Sequence, residues 1–312
     1  MNTKTVSKVL LRKHNDFINS IKDAEVKEIF KKYSIITGGS IVSLLMNEKV
    51  NDYDYYLTDK DSCKKVAEYF VSQFNSVHPE DIAFRPKTQE SIKPNVEEDK
   101  NGRIRIIIPS VGMASETDTK NPYEYFEARP LEEVEEYVDN LSAEALETID
   151  NKKETYRVIF MTSNAITLSN NVQIIIRFYG NPEEIHKNYD YVHCTNFWKA
   201  EDSKLYLNQP ALESILSKTL YYIGSLYPIC SMIRTRKFIK KGWHINAGQF
   251  LKIAFQISEL NLQDIAVLDD QLVGVDNAYF YQVIQYLTER KEKEPDFKIN
   301  SAYLTSIIDK IF

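Results

Sequence analysis

The chain is poor in glycine, with nine among 312 residues, and carries only two tryptophans, three cysteines and five histidines. Cys63, Cys194 and Cys230 are odd in number and lack paired spacing, which argues against a disulfide framework and a zinc cage. They are expected as buried free thiols, Cys63 and Cys230 on helices and Cys194 on a strand. His14, His78, His186, His193 and His244 are scattered without metal-ligand spacing, and His193 is expected on the strand of Cys194 as a packed or hydrogen-bonded imidazole. No apolar run approaches the roughly 18 residues that span a bilayer, and Met1-Asn2-Thr3-Lys4 begins no signal-peptide core, so a cytoplasmic protein with no membrane partner is expected. The absence of a Gly-x-x-x-x-Gly-Lys-Ser/Thr loop, a nucleophile elbow and a kinase signature removes three large enzyme classes. No internal repeat or low-complexity tract occurs. Scarce glycine beside abundant Ile, Lys, Asn and Tyr points to AT-rich coding, as in a phage, a virus or a low-GC bacterium; for a phage the compartment is the host cytoplasm.

What is present describes a folded chain. Hydrophobic residues make up 43% and aromatics 12%, and a chain of this length is expected to divide its core between two subdomains. The net charge of −6 is unevenly spread: Glu116 to Asp150 holds twelve acids against Lys120 and Arg129, a local −10, which leaves +4 for the rest. An acidic total therefore leaves a nucleic-acid substrate open, because the field at a site depends on local charge.

Hydrophobic periodicity sets the elements. Residues 5–31 read as one or two amphipathic helices, with Val9, Leu10, Phe17, Ile18, Ile21 and Ile29 as the apolar stripe. Lys32–Ile36 reads as a strand, Ile41–Asn47 as a short helix and Tyr53–Leu57 as a second strand. Asp59 or Asp61 is positioned to cap a helix over Cys63–Phe74. Prolines and Asn101-Gly102 break the pattern from His78 to Asp150, where only Arg103–Ile108 reads as a strand and Leu131–Asp150 as an acidic helix. Strands return at Tyr156–Met161, Ala165–Leu168 and Val172–Phe178, the last two joined by a hairpin at Asn170-Asn171. A short helix over Pro182–Asn188, a strand over Asp190–Phe197 and its hairpin partner Lys204–Leu207 follow. Beyond Pro210 the pattern is helical: Leu212–Tyr227, Cys230–Lys241, Asn246–Leu260, Asp276–Arg290 and Ser301–Phe312.

One segment carries chemistry. Thr37-Gly38-Gly39-Ser40 follows the first strand, and Asn51-Asp52-Tyr53-Asp54-Tyr55-Tyr56 follows the next helix. Side chains two apart on a strand share a face, so Asp52 and Asp54 project together while Tyr53 and Tyr55 point away. Two aligned carboxylates suit a divalent cation. Gly38 and Gly39 let backbone N–H groups approach an anion, and Ser40 opens a helix whose hydroxyl and positive dipole end can hold phosphate.

Gly39-Ser40 and Asp52-x-Asp54, in this order behind an apolar strand, resemble the nucleotidyltransferase superfamily of DNA polymerase β, poly(A) polymerases and CCA-adding enzymes. The resemblance covers about residues 33–57. It implies an α+β fold, a nucleotidyltransferase-type mixed-sheet core with flanking helices followed by an all-helical C-terminal domain. Residues 1–31 would be a helical segment, 32–208 the core with an acidic insertion at about 78–150, and 209–312 the helical domain. The implied reaction moves an NMP from an NTP to a hydroxyl with release of pyrophosphate, on Mg2+ ions. Asp52 and Asp54 would bind metal and Gly38, Gly39 and Ser40 phosphate. The superfamily's third carboxylate comes from a later strand, which points to Asp190 in Tyr189-Asp190-Tyr191-Val192. Asp150 and Asp202 are the alternatives, although neither precedes an apolar strand. The acceptor is open between an RNA 3′ end, slightly favoured, and a small molecule or protein side chain.

Arg234-Thr235-Arg236-Lys237-Phe238-Ile239-Lys240-Lys241 holds five cations and no acid. On a helix Arg234, Lys237 and Lys241 share a face, fit to bind a triphosphate or nucleic-acid backbone, with Phe238 and Ile239 buried elsewhere. A helix end with cations against its dipole, stopped by Gly242, explains the same run. Tyr221, Tyr222, Tyr227 and Trp243 could stack a base, but aromatics at helical spacing more often build core. Two rivals to the enzyme remain: a catalytically inactive protein of this fold with a binding or structural role in a phage particle or toxin-antitoxin pair, and a nucleic-acid-binding module that uses only the basic helix.

Overall fold

The computed structural model of the chain describes residues 2–77, 93–99, 102–108, 113–115, 123–125, 156–272 and 278–311. The expected acidic helix over Leu131–Asp150, Asp150 itself and His78 lie outside the described residues.

Two helices begin the fold. In α1 (Thr3–Ser20) the Asn2 side chain accepts a hydrogen bond from Thr5 N at 2.8 Å, and in α2 (Ala24–Tyr33) Asp23 caps Val26 N at 2.9 Å. Each cap satisfies an N–H that the helix leaves unpaired. The strand β1 (Ser34–Thr37) runs into α3 (Gly39–Met46), which Asn47 ends in the left-handed conformation at φ 60. Then come β2 (Tyr53–Leu57), as expected, and α4 (Lys60–Val77), whose cap is Asp59, accepting from Ser62 N at 2.8 Å.

Short strands β3 (Asn95–Glu98) and β4 (Ile104–Ile107) pair with each other, while β5 (Met113–Ser115) and β6 (Tyr123–Tyr125) join the main sheet. It continues with β7 (Val158–Met161), β8 (Ala165–Leu168) and β9 (Val172–Tyr179). The β8–β9 hairpin turns on Asn170 and Asn171 at φ 62 and 57, the positive angles that asparagine tolerates. After α5 (Pro182–His186) come β10 (Phe197–Lys199) and β11 (Lys204–Tyr206). The nine-stranded order is β11-β10-β1-β2-β9-β8-β7-β5-β6, antiparallel except for the parallel β2–β9 pair.

The helical remainder is α6 (Gln209–Ser217), α7 (Pro228–Lys240), α8 (Ala247–Ser258), α9 (Ile265–Leu272), α10 (Ala278–Lys293) and α11 (Ser301–Ile311). The architecture is therefore α+β, a mixed sheet with flanking helices followed by helices. The single helix expected over Leu212–Tyr227 stops at Ser217, where Lys218 turns left-handed at φ 49 and its N–H bonds Ile215 O. The helix α9 was not expected.

Alternation along the strands divides the sheet into two faces. Ile36, Tyr55, Leu57, Ile174 and Ile176 meet the apolar stripes of α1, α2 and α4 in the main core, where Phe17 packs on Phe30, Tyr55, Phe70 and Tyr156. Burying each such side chain contributes roughly 1.5–3 kcal/mol. The opposite face carries Ile35 and Tyr56 against Ile185, Tyr189 and Phe197. A second core joins Val42, Leu45 and Met46 of α3 to Tyr191, Tyr222, Trp243 and Ile253, so α3 is wedged between sheet and helices.

The strand expected over Asp190–Phe197 is replaced by other structure. Tyr191 bridges Tyr222, Ile223 N donates to Asp190 O at 3.0 Å, Val192 N donates to Tyr221 O at 3.0 Å, and Val192–Cys194 then forms a 3-10 turn. Tyr191 meets its burial demand in the second core against Tyr222 and Phe238, so this aromatic run never enters the sheet. Cys194 and His193 are consequently on that turn and not on a strand. His193 is packed between Phe238 and Trp243 as an imidazole of the core, and burial pushes its pKa down to about 3. All three cysteines are free, with Cys63 and Cys230 buried and Cys194 partly exposed.

Candidate functional site

The glycine turn and the two-acid strand are neighbours because β1 pairs directly with β2. Thr37, the last residue of β1, lies opposite Asp54 in the antiparallel register. Gly38 comes next at φ 89 and ψ −149, a conformation essentially restricted to glycine. A Cβ at Gly38 would stand 3.2 Å from Asp54 Oδ2 and 3.4 Å from the Tyr189 hydroxyl, whereas nothing lies within 4 Å of the corresponding point on Gly39. The turn thus touches the carboxylate at one residue and leaves open space over the next. Gly39 is the first residue of α3, whose unpaired N–H groups and dipole favour an anion there. The Ser40 hydroxyl is buried with no hydrogen-bond partner among the described residues.

The turn is held from below. Gly38 N donates to Cys194 O at 3.2 Å, and the Thr37 hydroxyl donates to Asn196 O at 2.9 Å. With its proton spent there, Thr37 is left to accept from His186 Nε2 at 2.9 Å, which assigns the imidazole proton to Nε2. Burial pushes the His186 pKa down to about 4, so the ring is neutral near pH 7.

Asp52 is exposed and Asp54 partly so. Asp54 shares its face with Tyr56, while Tyr53 lies under Lys13 of α1 and Tyr55 is in the main core. Desolvation, then the neighbouring Asp52 carboxylate, push the Asp54 carboxyl up to about 8. A charge on the poorly solvated Asp54 is costly, the more so beside the Asp52 carboxylate, and a divalent cation relieves both costs. Among the described residues no group of three or more His, Cys, Asp or Glu side chains is arranged to hold a metal ion. A pair of carboxylates still fits magnesium, which keeps several waters and takes few protein oxygens.

Asp190 is buried and paired: Arg234 of α7 donates to its Oδ2 in an ion pair. Asp202 lies in the loop between β10 and β11, where its carboxylate accepts from Lys204 N and the Tyr206 hydroxyl. Arg234, Lys237 and Lys240 lie along α7, which ends at Lys240 and is capped by Lys241 before Gly242 at φ 79. Asp54, Asp190, Arg234 and Lys241 all act electrostatically on the Cys194 thiol, which burial, foremost, raises well above the usual range. Carboxylate strand and basic helix therefore converge on one region. Phe238 packs in the second core as expected, but Ile239 is 49% exposed. Tyr222, Tyr227 and Trp243 are core residues, and only Tyr221 among the four candidate aromatics is exposed. Sequence reasoning did not find Thr37, Tyr56, Tyr189 or His186. Their signal was proximity to the motif for Thr37 and Tyr56, and for Tyr189 the aromatic that precedes Asp190.

These features define a class, an α+β protein in which a glycine turn and a two-carboxylate strand meet on one face of a mixed sheet. The chain belongs to the Gabija anti-defense 2 family, whose profile matches residues 8–218. It is 22% identical over 139 residues to Gabija anti-defense 2 of Bacillus phage SPbetaL7, a stretch that covers 44% of this chain and 32% of that protein. Among solved structures it is similar to a tRNA-processing enzyme with CTP, at 11% identity and TM-score 0.37 over 87% of this chain and 57% of that one. A CCA-adding enzyme of Thermotoga maritima complexed with tRNA matches at 9% identity and TM-score 0.36, over 93% of this chain and 57% of that one. The chain spans less than two thirds of the length of each of these proteins. Among the described residues no helix is long and apolar enough to cross a membrane.

Proposed function

We propose that this chain is a metal-dependent nucleotidyltransferase that moves an NMP from an NTP to a hydroxyl acceptor, an RNA 3′ end by preference, and that it counters the Gabija defence of the host by this activity. The observation that supports the reading is the close approach of Gly38 to Asp54, 3.2 Å from a would-be Cβ to Oδ2, beside the open space over Gly39. Asp52 and Asp54 would hold Mg2+, which supplies Lewis-acid polarisation of the phosphate oxygens and a hydroxyl ready to lose its proton. The chain's own groups do the rest. The N–H groups of Gly39 and Ser40 and the Ser40 hydroxyl receive phosphate oxygens, and Arg234, Lys237 and Lys241 supply positive charge from the helical side. The experiment is incubation with each labelled NTP, Mg2+ and cellular RNA. Labelled product from the wild type and none from Asp52→Ala/Asp54→Ala is the expected result, and equal labelling by both rejects the mechanism.

A second reading is favoured by one observation, the engagement of Asp190 by Arg234, which leaves two carboxylates among the described residues where the resemblance implied three. In that reading the fold counters Gabija by binding alone. Full anti-Gabija protection by the Asp52→Ala/Asp54→Ala protein would select it.

A further inference from the structure

Asp190 and Arg234 are an unequal pair: the carboxylate side chain is 8% exposed and the guanidinium 38%. A buried carboxylate without a partner is costly, and Arg234 is the partner the fold gives Asp190. The framework around the pair is fixed on both sides. Ile223 N donates to Asp190 O at 3.0 Å, Tyr191 donates to Ser231 O at 3.2 Å, and Tyr191 also bonds Thr235, the residue after Arg234. The segment that carries Asp190 lies against the glycine turn: the Tyr189 hydroxyl, one residue before, stands 3.4 Å from a would-be Cβ on Gly38, and Cys194 O, four residues after, accepts from Gly38 N at 3.2 Å. A partly exposed guanidinium is thus held from behind by a buried acid and presented at the end of the sheet where Gly38 meets Asp54.

We propose that Asp190 is a positioning residue that binds no cation: it fixes the guanidinium of Arg234 at the cleft, where Arg234 receives the outer phosphates of a nucleoside triphosphate. This rests on the nucleotidyl-transfer reading of the cleft and assigns the third acid of the motif a different task. Asparagine at 190 keeps an acceptor for the guanidinium, whereas alanine leaves it unheld.

The test uses the whole chain and two separate ligands, Mn2+ alone and inorganic tripolyphosphate without metal, by equilibrium binding. Asp190→Asn should keep Mn2+ affinity within about twofold of wild type, while Asp54→Asn loses about tenfold or more, the weight of a charged ligand contact. Arg234→Gln and Asp190→Ala should each weaken tripolyphosphate by about tenfold, and Asp190→Asn should bind it at least as tightly as wild type. Should either single variant fail to fold, Asp190→Asn/Arg234→Gln leaves no lone buried charge, and it should retain Mn2+ and lose tripolyphosphate. Loss of Mn2+ binding in Asp190→Asn comparable to that in Asp54→Asn overturns the inference, as does tripolyphosphate binding indifferent to Arg234. If the wild type binds neither ligand, the nucleotidyl-transfer reading falls first.

Discussion

Asp54→Asn is the sharpest perturbation, because it tests a charge that the fold holds at a cost. The carboxyl rises from an ordinary 3.8 to about 8, first by desolvation and then by Asp52. A group whose folded pKa lies above its unfolded value lends stability below the unfolded pKa and loses it as pH climbs through the folded one. For the metal-free protein the window is therefore about pH 4 to 8. The full shift corresponds to roughly 5–6 kcal/mol, and partial exposure of Asp54 reduces this to about 2–3 kcal/mol at pH 8 and about 1 kcal/mol at pH 5. Asparagine removes the charge and keeps the shape. In chelator-treated protein the variant should melt about 4–8 °C above wild type at pH 8, with a smaller gap at pH 5. Added Mg2+ should raise the wild-type melting temperature by mass action and leave the variant unchanged. A gap that does not grow with pH, or Mg2+ shifts of equal size in both proteins, would refute the reasoning.

Three further outcomes are expected. Gly38→Ala meets both a backbone reserved for glycine and the Asp54 oxygen at 3.2 Å, so it should cost about 1–3 kcal/mol. Gly39→Ala meets nothing and should keep the wild-type denaturation midpoint while weakening tripolyphosphate, since its methyl fills the opening. His14, His186 and His193 are pushed by burial to about 4, 4 and 3, so they contribute stability above pH 6.5 that is lost as pH falls towards those values. In the Asp54→Asn background, where the opposing carboxyl is gone, the urea midpoint should fall between pH 7 and 4.5; a constant midpoint would count against buried neutral rings.

The local part of this fold was legible. From β1 to α4 the sequence uses short-range signals, namely alternation, a Gly-Gly turn and an Asp cap, and the structure places the elements within three residues of expectation. The strand expected over Asp190–Phe197 was misplaced for a nonlocal reason. Tyr191-Val192 has the pattern of a strand, but the partner that buries it is Tyr222 and the second core, 31 residues on from Tyr191, and no periodicity reveals which core an aromatic will join. The run ending at Tyr227 failed similarly, since Thr219–Ile223 spends its hydrogen bonds on His244, Gln249 and the Asp190 segment. The bond of Thr37 to His186 was hidden because a contact across 149 residues leaves no mark at His186, although Thr37 itself borders the motif.

The wedged position of α3 has a mechanical consequence. Its first residue is the open glycine, while Val42, Leu45 and Met46 along its flank are gripped by Trp243 and its neighbours. Any force that shifts the helical half against the sheet is delivered along a lever of eight residues to the lip of the anion opening. A substitution that loosens the packing of Trp243 on α3 is therefore expected to be felt at the Gly39 opening, without touching a single acidic side chain.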